Sequence, residues 1–169
     1  MPRPDLSRVP EWYHKYINKV KEDDLLKALA DQRLLFMDFL QNLPVEKREF
    51  KYAPGKWSIQ ELLQHIIDAE RVFAYRALSF ARFDPNPLPG FEEDEWAKVS
   101  GGSSRIWYDL LEEFSSLRQS TEWLFASFSE AQLEASGIAS KHSNYVRAIG
   151  FIIAGHIDHH VEVIRERYL

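Results

Sequence analysis

The stretch that decides the fold reads SIQELLQHIIDAERVFAYRALSF and covers residues 58–80. Ser58 and Glu61 have the spacing of a capping box, in which two side chains together close the first turn of a helix. Apolar residues then recur at three- and four-residue intervals, as the buried face of an amphipathic helix requires. These positions are Ile59, Leu62, Ile66, Phe73, Ala77 and Phe80. Residues 84–90 hold three prolines and a glycine, which cannot continue a helix, so the sequence predicts a long helix that ends near Phe83.

Three further helical patterns flank this one. Residues from about 10 to 40 carry helically spaced leucines, with a charged break at residues 22–24. Residues 91–102 are expected to form a long loop with at most a helical turn, and loops of this length often cover a site. A third helix is predicted over residues 107–128, then a short capped segment at 129–132 and a polar link through Gly137 and Ser143. The last helix is predicted from about residue 144 to 168.

Long amphipathic helices without clear strand signals are typical of helical bundles. The sequence therefore predicts an all-α, antiparallel four-helix bundle with a long loop between helices 2 and 3. We expect a single domain over residues 1–169, because a chain of this length builds one full core of its own.

Composition narrows the class of protein. Hydrophobic residues make up 45% and charged residues 28% of the chain, as in ordinary globular proteins. The net charge of −5 and the scattered Lys and Arg residues argue against nucleic-acid binding, which needs a basic patch. The chain has no cysteine, so disulfides and thiolate ligands are excluded. The first residues resemble no signal peptide, and no segment approaches the ~20 apolar residues that span a bilayer. We expect a soluble, cytoplasmic protein without nucleic-acid or membrane partners.

Histidines mark the candidate site. His156 and His160 are four residues apart, so they lie on one helix face about 6 Å apart along the axis. A helical wheel places both in the centre of the apolar stripe of the last helix, with Asp158 on the outward face. His65 lies on the second helix, near the edge of its apolar arc. Three histidines with one open coordination position are the usual arrangement of a catalytic zinc site.

The alternative for each histidine is a structural role. A single histidine on an apolar face is most often a core residue with one hydrogen bond, and this applies to His65 taken alone. A pair in one stripe is harder to explain in this way, since a buried polar nitrogen without a partner costs about 1–3 kcal/mol. His159 is expected to support the site or to lie at the surface. His14 and His142 are expected at the surface or in loops.

Other metal motifs fit the sequence less well. A zincin needs His-Glu-x-x-His, whereas residues 156–160 read His-Ile-Asp-His-His. Di-iron bundles need two Glu-x-x-His units, and only residues 11–14 match that pattern. Imidazole ligands suit Zn, Ni, Cu or Fe. The residues alone leave the choice among these four open.

Residues 54–71 and 155–164 resemble the second and last helices of the DinB/YfiT-like superfamily. Residues 73–82 and 88–91 are similar to one branch of it. The resemblance implies a four-helix bundle, often homodimeric, in which three histidines hold one divalent metal ion. Those positions match His65, His156 and His160 here. We expect zinc or nickel first, with iron or copper as alternatives. Relatives include metal-dependent hydrolases, and transferases or isomerases that use low-molecular-weight thiols.

The first hypothesis for function is a metalloenzyme, either a hydrolase or a thiol-dependent transferase acting on a small molecule. Water bound to a divalent ion can ionise near pH 7, and an external thiol would supply the sulfur that this chain lacks. Asp68 and Glu61 lie close to His65 on the helical wheel, where they could orient ligands or move protons. Arg76 and Arg82 could meet an anionic substrate, although surface pairing is the more usual role of arginine.

The second hypothesis is a non-catalytic bundle, such as a stress-response or interaction protein, with a structural or adventitious metal. Its many aromatic residues could support a dimer face as readily as a core. Phe91 and Trp96, in the long loop, would then belong to an interface rather than to a lid. A third option is a metal-free bundle that binds a small apolar ligand among three histidines.

Overall fold

A computed structural model describes all residues from Met1 to Leu169. The chain forms seven α-helices and one antiparallel β-hairpin. In chain order these are α1 (Glu11–Ile17), α2 (Leu25–Gln41), α3 (Ile59–Ala81), α4 (Glu93–Val99), α5 (Trp107–Ala126), α6 (Glu130–Leu133), β1 (Ser136–Ala139), β2 (His142–Tyr145) and α7 (Val146–Arg167). Short 3-10 turns lie at Leu6–Arg8, Val45–Lys47 and Gly102–Ser104. None of the helices is both long and apolar enough to cross a membrane.

The four long helices α2, α3, α5 and α7 form the predicted bundle. α3 packs against α7 and α5, and α2 packs against the same two helices. The consecutive helices α2 and α3 therefore lie diagonally across the bundle, as do α5 and α7. The short helix α1 packs on the outside of α7. Helical periodicity predicts the four helices correctly but carries no information about this order of neighbours.

The apolar core has two parts. One is built from the second half of α3, the first half of α7 and the segments around α1 and the hairpin. The other is built from the first half of α3, the end of α7 and parts of α2 and α5. The buried polar residues Gln32, His65, Glu70, Arg118 and His156 lie on these helices between the two apolar parts. The candidate histidines thus belong to a polar layer across the middle of the bundle.

Within that layer, a buried ion pair connects the helices. Arg118 of α5 donates to both carboxylate oxygens of Glu70 on α3, at 2.9 and 2.8 Å, and to Oε1 of Gln32 on α2 at 2.8 Å. Nε2 of Gln32 donates in turn to the Ala154 carbonyl and to Oδ1 of Asp158 on α7, at 2.7 and 2.8 Å. The expectation that Asp158 faces solvent was wrong: it is only partly exposed, because it accepts this hydrogen bond.

The hairpin corrects the expectation of a polar link without strands. Ser136 to Ala139 pair with Tyr145 to His142, and Ser140 and Lys141 form the turn with positive φ angles of 52° and 70°. A two-residue turn of this kind usually contains Asn-Gly or Asp-Gly, and neither is present, so the sequence gives no signal for it. Leu88 bonds through its backbone to Ile138 and Ser140. The hairpin thereby fixes the proline-rich loop against the bundle.

The helix ends agree closely with the expectations from sequence. Ser58 and Glu61 form the capping box of α3, and Ser129 and Gln132 form that of α6. The break at residues 22–24 separates α1 from α2. Inside the long loop, α4 is a helix of seven residues, which is longer than the single turn expected.

Candidate metal centre

Three histidine side chains converge from two helices. His65 projects from α3, and His156 and His160 project from successive turns of α7. The Nε2 atom of His156 lies 3.2 Å from Nε2 of His65 and 2.9 Å from Nε2 of His160. One ligand nitrogen from each ring lies within 4.8 Å of the others. The structure therefore brings together the three histidines that the sequence singles out.

The chemistry of these nitrogens fits a shared cation. In a neutral imidazole, each ring nitrogen carries either one proton or one lone pair. Nε2 of His156 therefore cannot form a full hydrogen bond with Nε2 of His65 and with Nε2 of His160 at the same time. Binding of one shared ion through three lone pairs would satisfy all three Nε2 atoms. Zn–N bonds of 2.0–2.1 Å would set tetrahedral ligands roughly 3.3 Å apart, close to the observed separations of 3.2 and 2.9 Å. Nδ1 of His160 is also buried without a hydrogen-bond partner.

Burial sets the protonation state of the three rings. It lowers the pKa of His65 to about 4, and the nearby Asp94 carboxylate opposes this only in part. Burial also holds the pKa of His156 and of His160 well below the usual value, and the neighbouring histidines lower both further. All three rings are therefore neutral at pH 7. Neutral imidazole is the form that binds metal ions.

Aromatic side chains surround the cluster. Trp57 lies 4.8 Å from His65, and Tyr16 lies 5.6 Å from His156, between ring centroids. Tyr16 is held there because α1 crosses α7 at Gly155, where an added Cβ would lie 1.9 Å from the Tyr16 carbonyl oxygen. His160 is only partly buried. The cluster therefore lies at the edge of the core, where a small molecule can approach it.

The remaining histidines stay outside the cluster. His159 is partly exposed, and its ring packs against Tyr16 at 5.4 Å between centroids. Nε2 of His14 lies 2.9 Å from the Val9 carbonyl, so this ring holds the N-terminal segment. His142 is exposed on the hairpin and packs against a tryptophan of α1.

The two candidate carboxylates have different surroundings. Glu61 accepts a hydrogen bond from the Ser58 backbone N–H at 2.7 Å and pairs with Lys51 at 2.7 Å. Asp68 lies about one turn after His65 on α3 and accepts a hydrogen bond from Gln64 at 3.0 Å. Burial raises the pKa of Asp68, although Gln64 and Arg71 oppose the rise. No hydrogen bond joins either carboxylate to a histidine, and the role of both stays a prediction.

A cavity of about 390 Å³ begins at Asp68 and extends along α3, away from His65. Its other walls are the proline-rich loop at residues 88–91 and Trp96 of α4. The long loop predicted to cover a site therefore does line a cavity, which no histidine lines and whose end at Asp68 is about one helical turn from His65. Volumes of about 300–1,000 Å³ are usual for small-molecule sites.

Sequence reasoning missed two features of this region. The Glu70–Arg118 pair joins residues that lie far apart in the chain and match no motif. Arg76, for which surface pairing was the expected role, is in fact 5% exposed and lines the cavity. Its position on α3, three residues after Phe73 and four before Phe80, places it at the edge of the apolar face, and this is the signal that could have revealed its burial.

Comparisons with known proteins show similarity to a family and to a solved structure. The family model of the DinB superfamily matches residues 28–164. The solved structure of YfiT from Bacillus subtilis has a TM-score of 0.66 and 16% sequence identity, and the match covers 96% of this chain and 91% of that one. YfiT is described as a probable metal-dependent hydrolase with an unusual four-helix bundle topology. At this identity the likeness shows the fold. No curated protein matches the chain significantly.

Proposed function

This chain belongs to the DinB superfamily, and we propose that it is an enzyme that uses one divalent metal ion held by His65, His156 and His160. The observation that carries the proposal is the convergence of three neutral ring nitrogens, with separations of 3.2 and 2.9 Å. Zinc and nickel are the candidates we propose first, with iron and copper as alternatives, and imidazole ligands suit all four. When bound, such an ion supplies a Lewis acid with an open position for water or a thiol.

The protein's own residues position the rings, transfer a proton and limit the access of water. α7 presents two of the rings from successive turns, and the capping box at Ser58 and Glu61 fixes the start of the helix that presents the third. Glu61 therefore acts as a positioning residue. Asp68, with its raised pKa, takes or gives a proton at the substrate in the adjoining cavity. Trp57 and Tyr16 limit the access of water to the rings.

Hydrolysis of a small molecule is the reaction we propose first, in line with the description of YfiT. Transfer of a low-molecular-weight thiol is the second, since a chain without cysteine would need an external sulfur nucleophile. A homodimer, a cytoplasmic location and a single domain over residues 1–169 stay predictions from the sequence.

The test uses untagged protein loaded with zinc or nickel. Nitrophenyl esters probe hydrolysis, and chlorodinitrobenzene with cysteine or glutathione probes thiol transfer. We expect turnover in one of the two assays and its loss in His160→Ala, together with loss of the ion. A His160→Ala protein with full metal content and full activity would overturn the ligand assignment.

A further inference from the structure

We propose that the cavity between α3 and the proline-rich loop binds the carboxylate end of a largely apolar small molecule, and that Arg76 is the residue that recognises this carboxylate. The binding site itself is argued from the cavity and its one uncompensated charge. That its ligand is the substrate of the metal centre rests on the proposed function.

The charge balance of the buried arginines is the main evidence. Three arginines are almost fully buried: Arg76 at 5%, Arg118 at 0% and Arg147 at 4% exposure. Arg118 pairs with Glu70, and Arg147 pairs with two glutamates. Arg76 has no carboxylate within 4.0 Å, and its hydrogen bonds run from Nη2 to the Pro89 carbonyl at 3.1 Å and to Oγ of Ser140 at 2.9 Å.

An uncompensated buried cation is costly to keep. Burial of a charge without an ionic partner is strongly unfavourable, and it is tolerated where a counter-charge or ligand completes the site. The two neutral oxygens bind one terminal nitrogen of Arg76 and leave its positive charge without compensation. A planar guanidinium matches a carboxylate well, because two parallel hydrogen bonds can form.

The surroundings hold the guanidinium in place. Its Cζ atom lies 5.6 Å from the centre of the Phe73 ring and 5.9 Å from that of Phe91. The hairpin fixes Ser140, and Leu88 ties the proline-rich loop to the same hairpin. Arg76 is therefore a preorganised binding group, which lowers the entropy that a ligand must lose on binding.

The other residues of the cavity favour a ligand with an apolar body. Its wall includes Val72, Leu88, Phe91 and Trp96. Two other charged residues line it, Asp68 and Arg71. These two lie 3.8 Å apart, and Arg71 also pairs with Glu113 at 2.5 Å, so both are already compensated. One free positive charge in an apolar cavity favours a single carboxylate over a ligand with several charges.

Asp68 marks the end of the cavity that is nearest to His65 along α3, and no histidine lines the cavity itself. Arg76 lies three turns along α3 from His65, about 16 Å between the two Cα positions. For the ligand of the carboxylate site also to be the substrate of the metal centre, its carboxylate and its reacting group must lie at opposite ends, and the reacting group must extend past Asp68.

The test measures binding by isothermal titration calorimetry, with phenylbutyrate and its neutral amide as probes. Chelated and metal-loaded wild-type protein are both used, so that the result does not depend on the metal. We expect the acid to bind at least roughly tenfold more tightly than the amide, as charge-assisted hydrogen bonds imply. Equal binding of the two probes, or no binding of the acid in the millimolar range, would overturn the proposal.

Variants assign the preference to one residue. Arg76→Gln should abolish the preference for the acid, whereas Arg82→Gln, at the exposed C-terminal end of the same helix, should retain it. Arg76→Lys keeps the charge and should retain part of the preference, and it serves if Arg76→Gln fails to fold. An unchanged preference in folded Arg76→Gln would contradict the assignment.

The outcomes separate this inference from the proposed function. A protein that binds no metal but prefers the acid contradicts the enzyme proposal and supports the carboxylate site. A protein that binds metal and loses it in the histidine variants, but does not distinguish the acid from the amide, supports the metal site and contradicts the carboxylate site.

Discussion

The properties of three side chains decide what the centre can bind. Burial keeps the rings of His65, His156 and His160 neutral at pH 7, so each has a lone pair available. The sequence predicts the two rings on α7 from their spacing alone, because residues four apart share a helix face. The sequence does not show whether the His65 ring reaches the two rings on α7, since a position at the edge of an apolar arc is consistent with either a ligand or a core residue.

Asp68→Asn tests proton transfer at the scale of one residue. The amide keeps the size of the side chain and still accepts a hydrogen bond from Gln64, but it cannot take a proton. We expect activity to fall about 100-fold or more, as for the loss of a positioned proton donor or acceptor, while the metal content is unchanged. Steady-state rates and metal analysis on the same samples measure both quantities.

Glu61→Gln is the matched control for this change. A glutamine at this position still completes a capping box, so α3 should keep its start and the enzyme should keep its activity. A larger loss in Glu61→Gln than in Asp68→Asn would exchange the roles given to the two carboxylates.

Single elements differ in how much local sequence determines them. The start of α3 follows from Ser58 and Glu61, because a capping box is a local pattern with one outcome. The β-hairpin does not follow from the sequence, since its turn at Ser140 and Lys141 uses positive φ angles without glycine or asparagine. Contacts with the proline-rich loop stabilise it instead, through the backbone hydrogen bonds of Leu88 with Ile138 and Ser140.

Ser58→Ala tests the cap of α3. It removes the side-chain oxygen that accepts from the Glu61 backbone N–H at 3.2 Å. We expect the free energy of unfolding to fall by about 1 kcal/mol, measured by urea denaturation. Ser58→Asp restores an acceptor at the cap and should recover most of the loss. Equal destabilisation by both variants would mean that packing, and not the cap, determines where α3 begins.

At the scale of the whole molecule, the polar layer organises the bundle. Amphipathic periodicity predicts four long helices and an all-α fold class, and both predictions are confirmed. The diagonal placement of α2 and α3 could not be predicted, because a hydrophobic stripe does not determine which helix packs against it. The Glu70–Arg118–Gln32 connections also depend on tertiary packing. They link α2, α3 and α5 in one arrangement.

Glu70→Gln tests the weight of this buried pair. The change leaves the Arg118 charge buried without its ionic partner, so we expect a loss of about 3–5 kcal/mol in the free energy of unfolding. Lys27→Met, which breaks the exposed pair of Lys27 with Asp31, is the control and should cost less than about 1 kcal/mol. Similar losses in the two variants would show that the buried pair contributes no more to the free energy of unfolding than the exposed pair.

Chelation tests whether the fold depends on the ion. The two apolar core regions and the Glu70–Arg118 pair do not involve the metal ligands, so the bundle should persist without metal. We expect chelated protein to keep its far-UV circular dichroism spectrum and to unfold cooperatively, at a lower temperature because a bound ion stabilises the folded state by mass action. Loss of helical signal at room temperature would indicate a structural ion instead.

The most direct test of the three-histidine site is the metal content of untagged protein, measured by mass spectrometry for wild type, His156→Ala and the exposed control His142→Ala. We expect about one zinc, nickel or other transition-metal ion per chain in wild type and in His142→Ala. We expect His156→Ala to lose that ion. Wild-type protein that holds no metal after reconstitution at neutral pH, or a His156→Ala protein that holds as much as wild type, would rule out this site.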